Sequence, residues 1–184
     1  PAGFLDMIAG QFDRKDVPVE GLAVYAEKPG ATLDVGALAL PVDKGGVTID
    51  LTLAAEAAGT IIDASDGSKG LRLDRLPGGA VRFTLADGQK TLTLDSDPGA
   101  MDNKAPHRVG IVVDGYARLI SMVVDGHLQD GGSARGRGTV RIPLDFGALA
   151  LPASWRIGAA EQVREVRVYG RMLFTTELVG LHRR

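Results

Sequence analysis

Residues 107–130 read HRVGIVVDGYARLISMVVDGHLQD, and the reading of this stretch decides the fold. It holds two apolar runs, 109–113 and 119–124, each followed by an Asp-Gly pair. Both runs are rich in Val and Ile, too short for buried helices and bounded by turn dipeptides, which predicts strands. Asp-Gly suits a tight reversal because Gly accepts positive φ and Asp tolerates the left-handed region. A four-residue loop at 114–117 sets Ile111 opposite Ile120 and Val109 opposite Met122 on one face. Val112 then meets Leu119 on the other face, so the hairpin is apolar on both sides. Strands of that kind lie at the centre of stacked sheets.

The flanking sequence is also β in character. Val47, Ile49, Leu51 and Leu53 alternate with Thr48, Asp50 and Thr52, the pattern of a half-buried strand. Leu71 and Leu73 are followed by Val81, Phe83 and Leu85 across Pro77-Gly78-Gly79. A three-residue loop there pairs Leu73 with Phe83 and Asp74 with Arg82; a two-residue loop would set apolar positions against polar ones. Shorter runs at 21–25, 60–63, 90–94, 139–142, 155–158 and 165–170 are separated by Gly, Pro and Asp turns. Residues 175–184 predict a short C-terminal helix, with Thr175 or Thr176 as N-cap and cationic residues at its end. An Ala-rich piece at 54–58 is the other helical candidate. Roughly a dozen short strands predict an all-β, two-sheet antiparallel jelly-roll sandwich with one or two short helices.

A chain of 184 residues, 45% hydrophobic, suffices for one domain with a real core. Residues 1–20, with Phe4, Leu5, Met7 and Ile8, read as an N-terminal arm or linker remnant, and 21–184 as a single domain. The net charge of −2 gives no electrostatic draw to nucleic acid or an anionic membrane. The absence of cysteine excludes a disulfide framework, a thiol nucleophile and a Cys-based zinc site. No run approaches the roughly 18 apolar residues needed to span a bilayer. Opening on Pro1 reads as a processed or excised piece, with any signal peptide already removed.

Four segments together resemble a known family: HRVGIVVDG, LISMVVDGHL, WRIG and VREVRVYGRMLFTTEL. The order is His107 before an alternating strand, Val124-Asp125-Gly126, Ile157-Gly158, then Tyr169-Gly170-Arg171-Met172-Leu173. It resembles bacterial laminin-G-like members of the concanavalin A-like lectin/glucanase superfamily, over about residues 47–181. The resemblance implies a jelly-roll that binds glycans or proteins, often as an accessory module of an extracellular, cell-surface or periplasmic protein.

Glycanases of that superfamily set two Glu and an Asp on one strand, in an E-x-D-x-E or similar pattern, for paired-carboxylate chemistry. The nearest stretch here, Glu161 to Glu165, lacks the middle Asp, and G-x-S-x-G is also missing. His107, His127 and His182 read as strand-end, turn-flank and helix-end residues. Asp95, Asp97, Asp102 and Asn103 form the candidate calcium cluster, since calcium takes six to eight oxygens on flexible loops. The same residues are ordinary loop formers. For a glycan the candidates are Tyr116 and Trp155 as stacking rings, and Arg135 with Arg137 for an acidic sugar. Trp155, between Ser154 and Arg156 in a predicted strand, suits the core better than a stacking site. The leading expectation is a non-catalytic, carbohydrate-binding module with no cofactor or with calcium. The alternatives are a structural domain that binds a partner protein or domain, and a glycoside hydrolase with an atypical site.

Overall fold

The computed structural model describes residues 24–27, 32–40, 42–55, 59–101, 104–130, 138–158 and 162–182. The arm at 1–20 therefore lies outside the described residues. The first sheet contains β1 (Val24–Glu27), β4 (Gly46–Leu53), β9 (His107–Asp114), β10 (Leu119–Val124), β11 (His127–Leu128), β12 (Thr139–Arg141) and β15 (Val163–Tyr169). Its order is β1-β15-β4-β9-β10-β11, with β12 also on β10. The second sheet runs β2 (Thr32–Asp34), β14 (Ser154–Ile157), β5 (Gly59–Asp66), β6 (Lys69–Arg75), β7 (Val81–Asp87) and β8 (Thr91–Asp95). A small ribbon pairs β3 (Leu38–Leu40) with β13 (Leu149–Leu151). The pairings are antiparallel, and the architecture is the expected two-sheet sandwich.

The inner faces meet in one core: Ile49, Leu51, Ile111 and Met122 from the first sheet, and Ile62, Leu73, Phe83 and Trp155 from the second. The 77–79 loop has the predicted register, with Leu73 opposite Phe83 and Asp74 opposite Arg82. Arg82 nevertheless does not turn to Asp74 as the sequence suggests. Its Nε and Nη2 donate to Asp95 Oδ1 and Oδ2 at 2.7 and 2.8 Å on the neighbouring strand. That fork is the stronger geometry for a guanidinium.

In the central hairpin the faces are as predicted but the partners slide by two residues. Ile111 lies opposite Met122 and Val109 opposite Val124, leaving 115–118 as the loop. Arg118 closes it in the left-handed region, at φ 53°, while Asp114 Oδ1 accepts the Ala117 amide. The loop is anchored by its side chains, which a count of apolar positions does not register.

The largest departure from expectation is β4, which is buried on both faces. A helix, α1 (Thr175–His182), and the segment before it cover the outer face of the first sheet. Val112, Val123, Tyr169, Leu173 and Leu178 form a second apolar cluster there. Thr48 is fully buried and satisfied twice, its hydroxyl donating to Arg171 O and accepting from the Leu173 amide. The helix starts one residue earlier than Thr175 as a cap would require. Phe174 takes the N-cap position, and its amide donates to Glu177 Oε2 at 2.8 Å, one half of a capping box. No helix forms at residues 54 and 55; 56–58 lie outside the described residues. Among the described residues no helix is long and apolar enough to cross a membrane.

Candidate functional site

An open cavity of about 310 Å³ lies at one rim of the sandwich. It forms where the edge strand of the second sheet, β8, runs into a loop facing the β10–β11 turn of the first. The loop side is a tight turn: Ala100 N donates to Asp97 O, with Pro98 and Gly99 between them and Gly99 at φ 77°. Pro first and a positive-φ Gly second is the type II pattern. The facing side is the Asp125-Gly126 turn, with φ 49° and 79°. Positive φ at both central residues is the type I′ geometry that Asp-Gly favours.

Gln129, 3% exposed, joins the two sides. Its Oε1 accepts the Asp97 amide at 3.0 Å and its Nε2 donates to His127 O at 2.9 Å. Asp97 Oδ2 accepts the Asp130 amide. Asp125 accepts the Arg108 amide on Oδ1, and its Oδ2 lies 2.6 Å from His107 Nδ1. The mouth thus presents two oriented carboxylates and the exposed His127, with Pro98 and Ala100 as apolar surface. Such a small cavity with few converging polar groups suits one sugar ring or a similar polar molecule.

The Asp125-Gly126 turn is braced from behind. Gly126 N donates to His182 Nδ1 at 3.1 Å, so the proton sits on Nε2, which faces Asp50 Oδ1 at 3.0 Å. Arg108 grips both Asp50 oxygens, at 3.1 and 2.6 Å, and donates to Leu181 O at the helix end. Burial pushes the Asp50 carboxyl up, but hydrogen bonds from His182 and Arg108 outweigh it and hold it below the usual carboxylate range. Asp50 and His182 are too deeply buried to meet a substrate. They position the turn.

The sequence candidates are dispersed. Asp97 lines the cavity, whereas Asp95 is held by Arg82. Asp102, Asn103, Arg135 and Arg137 lie outside the described residues. Trp155 is a correction as a sugar-stacking ring: it is fully buried, and its indole N–H donates to Pro152 O at 2.9 Å. Tyr116 is 70% exposed but sits beyond the other end of β10, roughly 20 Å along the strand from the cavity turn. Glu165 pairs with Arg167, and Glu161 lies outside the described residues. Among the described residues no group of three or more His, Asp or Glu is placed to hold a metal ion. Asp125, His127 and Gln129 also line the cavity and are not among the sequence candidates; their one signal in the sequence is the second Asp-Gly pair, which by itself predicts only a turn.

No protein-family model matches the chain, and no curated protein matches it. Solved structures do. The sialidase CBM40 of Ruminococcus gnavus, bound to α2,3-sialyllactose, is 13% identical with a TM-score of 0.58, over 86% of this chain and 98% of that one. A leech intramolecular trans-sialidase is 13% identical with a TM-score of 0.57, over 85% of this chain and 27% of that one. The binding domain of botulinum neurotoxin DC in complex with SialylT is 12% identical with a TM-score of 0.53, over 88% of this chain and 46% of that one. At these identities the likeness concerns backbone architecture alone: the two-sheet antiparallel β-sandwich is one that these domains share.

Proposed function

We propose that the chain is a non-catalytic carbohydrate-binding module that takes its glycan at the rim cavity. The observation behind this is the cavity itself, placed on loops at the edge of a rigid sandwich, where ligand contacts concentrate. Structures of the same fold point the same way, since two of them hold sialyllactose and SialylT. The laminin-G-like, concanavalin A-like affinity and an extracellular, cell-surface or periplasmic setting belong to this reading. So does the lack of catalysis, which is supported by the missing glycanase carboxylate pattern and the burial of the Asp50–His182 pair.

A glycan array followed by titration calorimetry tests the proposal. His127→Ala and Asp97→Asn should weaken binding several-fold while the fold stays intact, and Tyr116→Ala should leave it unchanged. Loss of affinity in Tyr116→Ala alone would move the site to the opposite end. A partner-protein reading draws on that end, where Tyr116 and Leu144 stand 70% and 88% exposed on loops joined through Arg118. An array with no binder would favour it.

A further inference from the structure

We infer that proton uptake by His182 opens the Asp125-Gly126 turn, so that the rim cavity keeps its shape only while this ring is neutral. As a control on glycan binding, this rests on the cavity being the glycan site. The His182 side chain is 0% exposed and engaged at both nitrogens. Nε2 faces Asp50 Oδ1 at 3.0 Å and carries the ring's one proton, because Nδ1 accepts the Gly126 amide at 3.1 Å. A second proton therefore has one place to go, Nδ1, and it displaces the Gly126 N–H from there. Burial raises the Asp50 carboxyl, but hydrogen bonds from His182 and Arg108 hold it low, so the proton does not settle on Asp50 instead.

Charges reach the ring from several elements. Asp50 on β4 offsets an imidazolium, while Arg108 on β9 grips both Asp50 oxygens and sets a like charge behind them. Arg167 and Tyr169 on β15 lie within reach of the Asp50 charge. β10 brings no titratable side chain; the turn beyond it brings Asp125, held at the Arg108 amide and His107 Nδ1, and the exposed His127. Protonation leaves the Gly126 N–H facing another N–H, which drives the turn away from the helix end. The turn sets cavity-lining residues on both sides of Gly126, Asp125 before it and His127 after it. His127 O holds Gln129 Nε2, and Gln129 Oε1 holds the Asp97 amide, so a displaced turn pulls on the bridge between the two sides. The closed turn binds one proton fewer than the open one. Closure is therefore complete at high pH and is lost as pH falls.

Amide exchange and ring-nitrogen NMR on the whole chain, from about pH 8 to about pH 5 where histidines change charge, test this without any ligand. Protection of the Gly126 amide should fall by up to about tenfold per pH unit, one proton per opening, in step with the ring signals of His182. His182→Gln, whose carboxamide can accept from Gly126 and donate to Asp50, should keep the protection and lose the slope. Should that variant not fold, the ring and amide signals of the unaltered chain decide by themselves. Three results overturn the inference: a His182 ring that gains its proton while Gly126 stays protected, a ring that stays neutral throughout, or a slope that follows His127 and persists in His182→Gln. Glycan plays no part in these readings, so a pH-linked turn beside an array with no binder sinks the module reading alone and leaves the proton-linked turn standing.

Discussion

Asp50, in the middle of β4, and His182, the last residue of α1, share a 3.0 Å hydrogen bond across 132 residues of sequence. The side chains are 1% and 0% exposed. An eight-residue helix is far too short to hold itself together in water. Its place on the sheet therefore depends on this bond, on Arg108 and on the Leu178 side chain.

Removing Asp50 leaves Arg108 and His182 facing an empty buried site. Breaking a buried pair from one side is strongly destabilising, so Asp50→Ala should lower stability by about 3–5 kcal/mol. His182→Ala leaves Asp50 with Arg108 and strands only the Gly126 amide, so about 1–3 kcal/mol is expected. Urea titration of the two variants measures both values. Equal effects would mean that the helix end, and not the charge pair, dominates.

Acid should loosen the same region. Glu177 resembles Asp50: burial raises its carboxyl, but Arg171 and the Phe174 amide hold it below its ordinary value of 4.5. Both groups thus have folded pKa values below their unfolded ones. Their contribution is complete above the unfolded values, 3.8 for Asp and 4.5 for Glu, and is lost as pH falls through the folded values. The share of stability that these two carboxylates supply should be level from pH 7 to about 5 and fall below about 4. Hydrogen exchange at the Leu178 amide, the first bond of the helix, should quicken there before the sheet opens. Asp50→Asn with Glu177→Gln should flatten the acid limb; an unchanged slope would place the acid-sensitive groups elsewhere.

What the sequence made legible was local. The 77–79 register follows from keeping Leu73 and Phe83 on one face, and the structure reproduces it. Apolar patterning likewise puts Leu119 and Ile120 on the faces they occupy, but side-chain anchoring of 115–118 shifts their partners. Long-range cover left no comparable trace. Alternation in β4 read as half-buried because the atoms that bury Thr48 and Asp50 come from residues 171–182. The cavity shows the same limitation, since Asp97 and Asp125 come to line one cavity only because the two sheets stack and Gln129 bridges their loops. A cluster drawn from neighbours in sequence held Asp95, which β8 turns to Arg82 instead.

That ion pair bears on calcium. Both Asp95 oxygens are taken at 2.7 and 2.8 Å by one guanidinium, so its charge is already balanced without a metal ion. A metal bound only to the folded chain would raise the melting temperature by mass action. The melting temperature should therefore be the same in chelator and in millimolar calcium. A calcium-dependent rise that disappears in Asp97→Asn would restore the cation to this loop.

The last prediction concerns how the helix docks. Gly110 faces outward from β9, directly under Leu178, and a Cβ built there would lie 2.5 and 2.6 Å from the two Leu178 methyl carbons. Gly110 is thus the hole into which the helix's fully buried leucine fits. Gly110→Ala overpacks that hole and should be destabilising by about 1–3 kcal/mol. Leu178→Ala empties it and should lose about 2–5 kcal/mol. The two side chains fill the same space, so their effects should not add: Gly110→Ala placed on Leu178→Ala should do little further harm. Denaturation of the four proteins in that cycle reads the coupling directly. Additive losses would mean that alanine at 110 is harmful through the strand itself, and the knob-and-hole account of how α1 docks would have to be abandoned.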